Sequence, residues 1–488
     1  MTVPAHSVVP APVEVIPAPG VAFALRPDAV IEAPTAFLGS YLADVLRPPT
    51  GFALPVVTAG AGPGDIALVL ADVAGLPDDG YELEATADRV TIRSRTETGL
   101  FHGVQTLRQL LPSTVEARTV HAGPWTVPGG RIRDYPRYGY RGAMLDVARH
   151  FFGVEVVKRF VDQISRYKLN VLHLHLSDDQ GWRLAVDAWP RLAEVGGATQ
   201  AGGGPGGHYT KAQYAELVAY AAARHVTLVP ELDMPGHVNA ALTAYPELTC
   251  DGAAPPPYTG VDVGFSTLCV GKDVTYAFVR QVLAEVAALT PGPYLHIGGD
   301  EAHSTPAADY REFLRRVQPL VTATGKTVLG WHQIGPADPV PGRTVQYWGR
   351  TPEPDEDARA AIANGDRLLL SPANRVYLDM KYDPQTPIGL DWAGHITVRT
   401  AYDWDPATLL PGTPDVIGVE APLWTETVAT PADIDLLTFP RLPAVAELAW
   451  SPQSRRDWTE FRSRLAAHGP RWTLQGIGFH PDPEIPWT

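Results

Sequence analysis

Short, mostly apolar runs recur through the later part of the chain, at positions 142–147, 171–176, 227–232, 294–297, 328–331, 345–348, 368–370 and 416–419. Runs that do not alternate with polar residues fit strands buried on both faces, as in a parallel sheet. The segments between several of them carry helical patterns instead. Residues 154–167 place Val157, Phe160, Val161 and Ile164 on one face, the spacing of an amphipathic helix. Thr210, with Gln213 three positions on, reads as a capping box that opens another. Eight strand–helix units in a row predict an α/β fold, a (β/α)8 TIM barrel with long insertions. Residues 332–343 are too rich in proline and glycine for a helix between the fifth and sixth strands. A doubly wound open sheet is the competing fold. It is disfavoured because no glycine-rich phosphate turn follows the first strand.

The first part of the chain has a different rhythm. Residues 1–20 are rich in proline, alanine and valine and are expected to form an extended lead-in. Residues 81–85 and 89–93 alternate apolar and polar positions, predicting two half-buried strands joined at Ala87-Asp88. Residues 100–111 carry Val104, Leu107 and Leu111 on one helical stripe. A small α+β domain over 21–130 is expected, bounded by the Pro/Gly-rich stretch 122–130, with the barrel over 131–488.

A barrel of this kind carries its chemistry where the strands end. The expected strand ends hold Asp146 and Arg149, then Asp178 and Asp179, then Glu231, Asp233 and His237. Asp300 and Glu301 follow the fourth strand, Trp331 the fifth, Trp348 the sixth, and Trp424 and Glu426 the eighth. The run Tyr-Leu-His-Ile-Gly-Gly-Asp-Glu at 294–301 is the most informative. Within a strand, neighbouring side chains face opposite ways. After Gly298 and Gly299 relax the backbone, Asp300 and Glu301 can reach one pocket.

Glycoside cleavage needs a proton donor and stabilisation of an oxocarbenium-like state. Two adjacent carboxylates do not match the separations of ordinary retaining or inverting pairs. A different division follows: Glu301, one bond longer, is the acid, and Asp300 holds a part of the substrate that itself attacks. Close like charges also raise the pKa of one carboxyl. The plainer alternative is a structural carboxylate pair at the barrel rim. Trp331, Trp348, Trp392 and Trp424 offer flat apolar faces for the C–H surfaces of a sugar. Arg149 and Glu426 are candidates to fix its hydroxyls. His173 and His175 face the same way on one strand, as in metal-dependent hydrolases, but no later strand is expected to supply the further histidines. Histidines satisfied inside the barrel are the better reading, and no metal site is expected.

The net charge of −15 argues against nucleic acid or an anionic membrane as partner, and a neutral ligand fits it better. No run approaches the ~18 apolar residues of a membrane span. The N-terminus shows no basic start followed by an apolar stretch, so the protein either stays inside or has lost a leader. Cys250 and Cys269 read equally as two unrelated buried thiols or as a bridge; a bridge implies an oxidising compartment.

Four motifs in order carry a family likeness: Arg-Gly-Ala-Met-Leu-Asp-Val-Ala-Arg-His-Phe-Phe at 141–152, His-Leu-His-Leu-Ser-Asp-Asp-Gln-Gly-Trp-Arg at 173–183, Pro-Glu-Leu-Asp-Met-Pro-Gly-His at 230–237, and His-Ile-Gly-Gly-Asp-Glu at 296–301. With them the chain resembles the family 20 glycoside hydrolases, the β-N-acetylhexosaminidases, especially the bacterial branch, from about residue 20 to its end. The resemblance implies substrate-assisted retention, in which the sugar's 2-acetamido carbonyl attacks its own anomeric carbon and forms an oxazolinium. It implies Glu301 as general acid/base, with Asp300 orienting the acetamido N–H and Tyr377 bonding its oxygen. Trp331, Trp348 and Trp424 resemble the box around the acetamido methyl. Arg149, Asp379 and Glu426 resemble the clamp on the terminal sugar, with Arg149 preferred to Arg141 because it lies past the strand. Asp178 and His237 resemble partners that tune the acid, and Trp392 faces the leaving group. The Cys250–Cys269 spacing matches a disulfide of bacterial members, which implies export. No cofactor is implied, and the expected partner is an oligosaccharide ending in N-acetylhexosamine. A lacto-N-biosidase of the same family and a silent glycan-binding barrel are the alternatives.

Overall fold

A computed structural model describes residues 7–350, 355–412 and 414–487. By contacts the chain divides into two compact units: Met1–Gly139 with Arg166–Lys168 and Phe439–Thr488, and Tyr140–Ser165 with Leu169–Thr438.

In the first unit a seven-stranded sheet is backed by two helices, Ala36–Thr50 and Glu97–Leu110. The expected hairpin is there, with Glu82 paired to Arg93 and Ala85 to Val90. The expected helix begins earlier than its apolar stripe, because the Thr96 side chain accepts a hydrogen bond from the Gly99 N–H and caps it there. Within the lead-in, Glu14–Ala24 is an edge strand against Thr126–Asp134; residues 1–6 lie outside the described residues.

Two boundaries differ from the sequence reading. Position 130 falls inside the strand Thr126–Asp134, so the first unit runs on to Gly139. Residues 439–488, expected in the barrel domain, belong to the first unit. The cause is a buried polar knot on Asp134. Its carboxylate is 2.8 Å from Lys168 Nζ and accepts bonds from Tyr81 Oη at 2.7 Å and Trp450 Nε1 at 2.9 Å. A charge pair buried this fully holds only while its partners stay together.

The second unit is the barrel. Its strands are β1 (Tyr140–Asp146), β2 (Val171–His175), β3 (Thr227–Glu231), β4 (Tyr294–His296), β5 (Thr327–Trp331), β6 (Thr344–Tyr347), β7 (Arg367–Leu370) and β8 (Val416–Leu423). All eight pair in parallel and β8 closes onto β1. The expected amphipathic helix is Val154–Arg166, burying Val157, Phe160, Val161 and Ile164. The capping box forms at Thr210 and Gln213. After β5 there is only the 3-10 turn His332–Ile334, as proline and glycine there foretold.

Across the barrel a layer of Tyr140, Val171, Val229, Leu329 and Leu369 is apolar. Further along the strands, toward their C-terminal ends, the filling turns polar. His173 lies 2.8 Å from Glu420 and 3.0 Å from Glu231. His175 and His296 also reach Glu231, at 2.5 and 2.9 Å. Thus a later strand does contribute a histidine: His296 on β4 stacks 4.7 Å from His173, which corrects the sequence reading. Both ring nitrogens of His173 face carboxylates, so the pair of histidines is satisfied within the barrel.

Candidate active site

The chain leaves β4 through three unusual conformations around the acidic pair. Gly298 and Gly299 have φ of 64° and 100°, and Glu301 has φ of 44°. A Cβ on Gly298 would lie 1.7 Å from Asp233 Oδ1, so only glycine fits. A left-handed backbone at a glutamate costs about 1–2 kcal/mol. That cost is the means by which two neighbouring carboxylates are turned into one pocket instead of to opposite faces.

Asp300 and Glu301 sit differently in that pocket. The Asp300 side chain is 11% exposed and that of Glu301 29%. Burial pushes the Asp300 carboxyl up to about 6, against the pull of His237 and with the charge of Glu301 adding to it. Asp300 also hydrogen-bonds Asp233, a carboxyl–carboxyl contact that requires one shared proton. Asp233 is raised well above the usual range, by burial and then by Asp300. Its Oδ1 accepts the Gly299 N–H at 2.9 Å, so the same residue shapes the turn and pairs with Asp300. The like-charge effect expected from sequence therefore involves a third carboxyl.

His237 stands between this pair and the barrel. Its Nε2 is 3.4 Å from Glu301 and 3.8 Å from Asp300, and its Nδ1 is 3.2 Å from Asp178. Burial alone would depress the imidazole; Asp178 and Glu301 overcome it and raise its pKa well above the ordinary value. Burial would likewise raise Asp178, but Arg149 at 2.9 Å and His237 hold it well below the carboxylate range. Asp178 accepts from His175 as well, at 2.9 Å. Arg149 also lies 3.3 Å from Asp146, and its guanidinium sits 4.9 Å over the Trp424 ring. Glu426 is raised by burial, with Arg149 opposing. Arg141, in contrast, is fully buried within β1.

The aromatic residues form a continuous chain. Trp331 lies 5.6 Å from Trp424, Trp424 6.3 Å from Tyr377, Tyr377 5.9 Å from Trp392, and Trp392 6.1 Å from Trp348. Trp331 is fully buried and donates its Nε1–H to Glu231 at 2.8 Å, whereas Trp392 is 43% exposed at the rim. Trp348 donates to Gln333 at 3.0 Å. Tyr377 is buried, with Asp300 and Asp379 the carboxylates that add most to burial in raising it. Asp379 is buried two residues on. Every residue singled out from the sequence for the sugar site thus stands at the C-terminal mouth of the barrel or immediately behind it. Cys250 and Cys269 are joined as a disulfide, closing the loop of 19 positions between them.

Several residues here were given no role from sequence. Asp233 and Glu231 were visible as strand-end carboxylates, but their partners are long-range. Tyr310, which donates to the Gly299 carbonyl at 2.5 Å, and Gln333, which fixes Trp348, carried no signal. One lies in a helix after β4 and the other in the turn after β5.

Comparison with known proteins agrees with this geometry. The model of the family described as "Glycosyl hydrolase family 20, catalytic domain" matches residues 138–453, and that of "Glycosyl hydrolase family 20, domain 2" matches residues 5–135. A β-N-acetylhexosaminidase of Cellulomonas fimi is 43% identical over 99% of this chain and 98% of its own length. The N-acetyl-β-hexosaminidase of Streptomyces plicatus, solved in complex with Thio-NAglucal, superposes with a TM-score of 0.97 at 56% identity, covering 99% of this chain and 98% of that one. A GH20 β-N-acetylhexosaminidase of Streptomyces coelicolor A3(2) gives 0.96 at 57% identity, covering 99% of each.

Proposed function

From the premise that the chain belongs to glycosyl hydrolase family 20, we propose how its residues divide the work of an exo-acting, retaining β-N-acetylhexosaminidase. The reaction removes a terminal non-reducing GlcNAc or GalNAc with the substrate's own amide as nucleophile. Glu301 gives its proton to the glycosidic oxygen as that bond breaks, while the acetamido carbonyl oxygen bonds to the anomeric carbon. The oxazolinium so formed is opened by water, which loses a proton to Glu301 and adds on the original face. The raised His237 sits 3.4 Å from Glu301 and stabilises the carboxylate left after proton transfer. Asp300 receives the acetamido N–H and stabilises its growing positive charge, and Tyr377 donates to the acetamido oxygen. Trp331, Trp348 and Trp424 enclose the methyl group. Arg149, Asp379 and Glu426 bind the sugar's outer hydroxyls, so the chain end is recognised and cleavage is exo. Trp392 receives the leaving group.

The observation carrying this reading is the inequality of the acidic pair. Asp300 is buried against Asp233, His237 and Tyr377 where it can hold an amide, and Glu301 is left open beside it where it can donate a proton. The disulfide supports export, since such bonds persist in oxidising surroundings. Comparing an aryl N-acetyl-β-glucosaminide with the matching glucoside tests the mechanism: the glycoside lacking the amide is expected to be turned over at least a thousandfold more slowly (roughly the effect of an intramolecular nucleophile). Equal rates, or a glycosyl ester trapped on a side chain during turnover, overturn it.

A further inference from the structure

A cavity of about 490 Å³ opens on the side of Glu301 away from the Arg149 clamp. Its size falls within the ~300–1,000 Å³ of small-molecule sites. One wall is the start of the helix Ala307–Thr322, with Tyr310 and Arg311; facing it stand Gln333, Trp348 and Asp357. Trp392, expected from sequence on the leaving-group side, is not among its lining residues.

The polar groups here are positioned but not used up. The Tyr310 hydroxyl is committed to the Gly299 carbonyl, which leaves its ring to face a ligand. The Gln333 carbonyl oxygen is taken by Trp348, which leaves the amide N–H groups as donors. Arg311 is exposed and has no ion-pair partner among the described residues. Asp357 supplies an acceptor in the same cavity, so no single sign of charge dominates. Two aromatic faces with planar donors and a carboxylate between them suit the C–H faces and hydroxyl edges of a neutral pyranose.

On the hexosaminidase reading above, we propose that this cavity is a saccharide subsite that holds sugar residues of the leaving group, with Arg311 and Gln333 as the residues that favour oligosaccharides over small aglycones. The polymer has only this way to run: the clamp closes around the non-reducing end, and the bond to be broken lies at Glu301.

The test compares two substrates of the full chain, the β-1,4-linked trimer of N-acetylglucosamine and N-acetyl-β-glucosaminyl fluoride, whose leaving group is too small to enter the cavity. Arg311→Ala removes a donor, and Ala307→Trp, at an exposed position on the wall, fills the space. Each is expected to lower kcat/KM for the trimer about tenfold, the worth of one good hydrogen bond, and to leave the fluoride within about twofold. A trimer-to-fluoride ratio unchanged in both variants overturns the subsite. Failure of the unmodified protein on the fluoride removes the activity itself, and the subsite with it, which keeps the two failures distinct.

Discussion

Replacing Asp300 by asparagine is expected to cost activity and to add stability, and the added stability should depend on pH. Burial raises this carboxyl from 3.8 to about 6 in the folded chain. A raised folded-state pKa means the fold holds the proton more tightly than the unfolded chain does. The associated stability is complete below about 3.8 and is lost as pH rises through about 6. At pH 8 the ionised group therefore costs about two pK units, or ~3 kcal/mol, and at pH 5 about half of that. The substituted amide keeps a polar group that can donate to Asp233 and never ionises. With an unfolding entropy of ~2.1 cal/mol/K per residue, ~3 kcal/mol corresponds to a Tm gain of about 3 °C for a chain of this length. Calorimetry of both proteins at pH 5 and pH 8, alongside hydrolysis of an aryl N-acetylglucosaminide, makes the measurement. A Tm gain that is absent at pH 8, or larger at pH 5 than at pH 8, refutes the assignment of the buried charge to Asp300. So does full activity in the asparagine variant.

Glu301→Gln should lower kcat on a natural disaccharide by about 10²–10⁴, the usual worth of a general acid, and by much less on an aryl glycoside with a good leaving group; equal losses on both would mean that Glu301 does not protonate the leaving oxygen. Arg149→Met should raise KM and lower unfolding free energy by about 3–5 kcal/mol, because Asp146 and Asp178 are left buried without their cation; urea titration reads the second effect, and unchanged stability would show the pairs to be idle. Reducing the Cys250–Cys269 bridge, or replacing both residues by serine, should cost about 3 kcal/mol for a loop of this length, and an unchanged denaturation midpoint would count against it.

The sequence by itself determined what local periodicity can carry. Each of the eight barrel strands was legible because burial on both faces demands an unbroken apolar run, and each lies within a residue or two of its expected place except β8, which continues to Leu423. Val154–Arg166 and the Thr210 capping box were legible because helices write their spacing and caps into adjacent positions. The site's chemistry was legible at strand ends, since a barrel confines it there. What only the tertiary structure decided depends on residues far apart in the chain. Asp233 became the proton-sharing partner of Asp300, and His296 joined His173 on Glu231, through contacts between different strands. Residues 439–488 left the barrel's unit because Trp450 bonds Asp134, 316 positions earlier. Such pairings leave no period in the sequence: a carboxylate's place at a strand end follows from its neighbours, but its pKa follows from whatever the closed barrel presses against it.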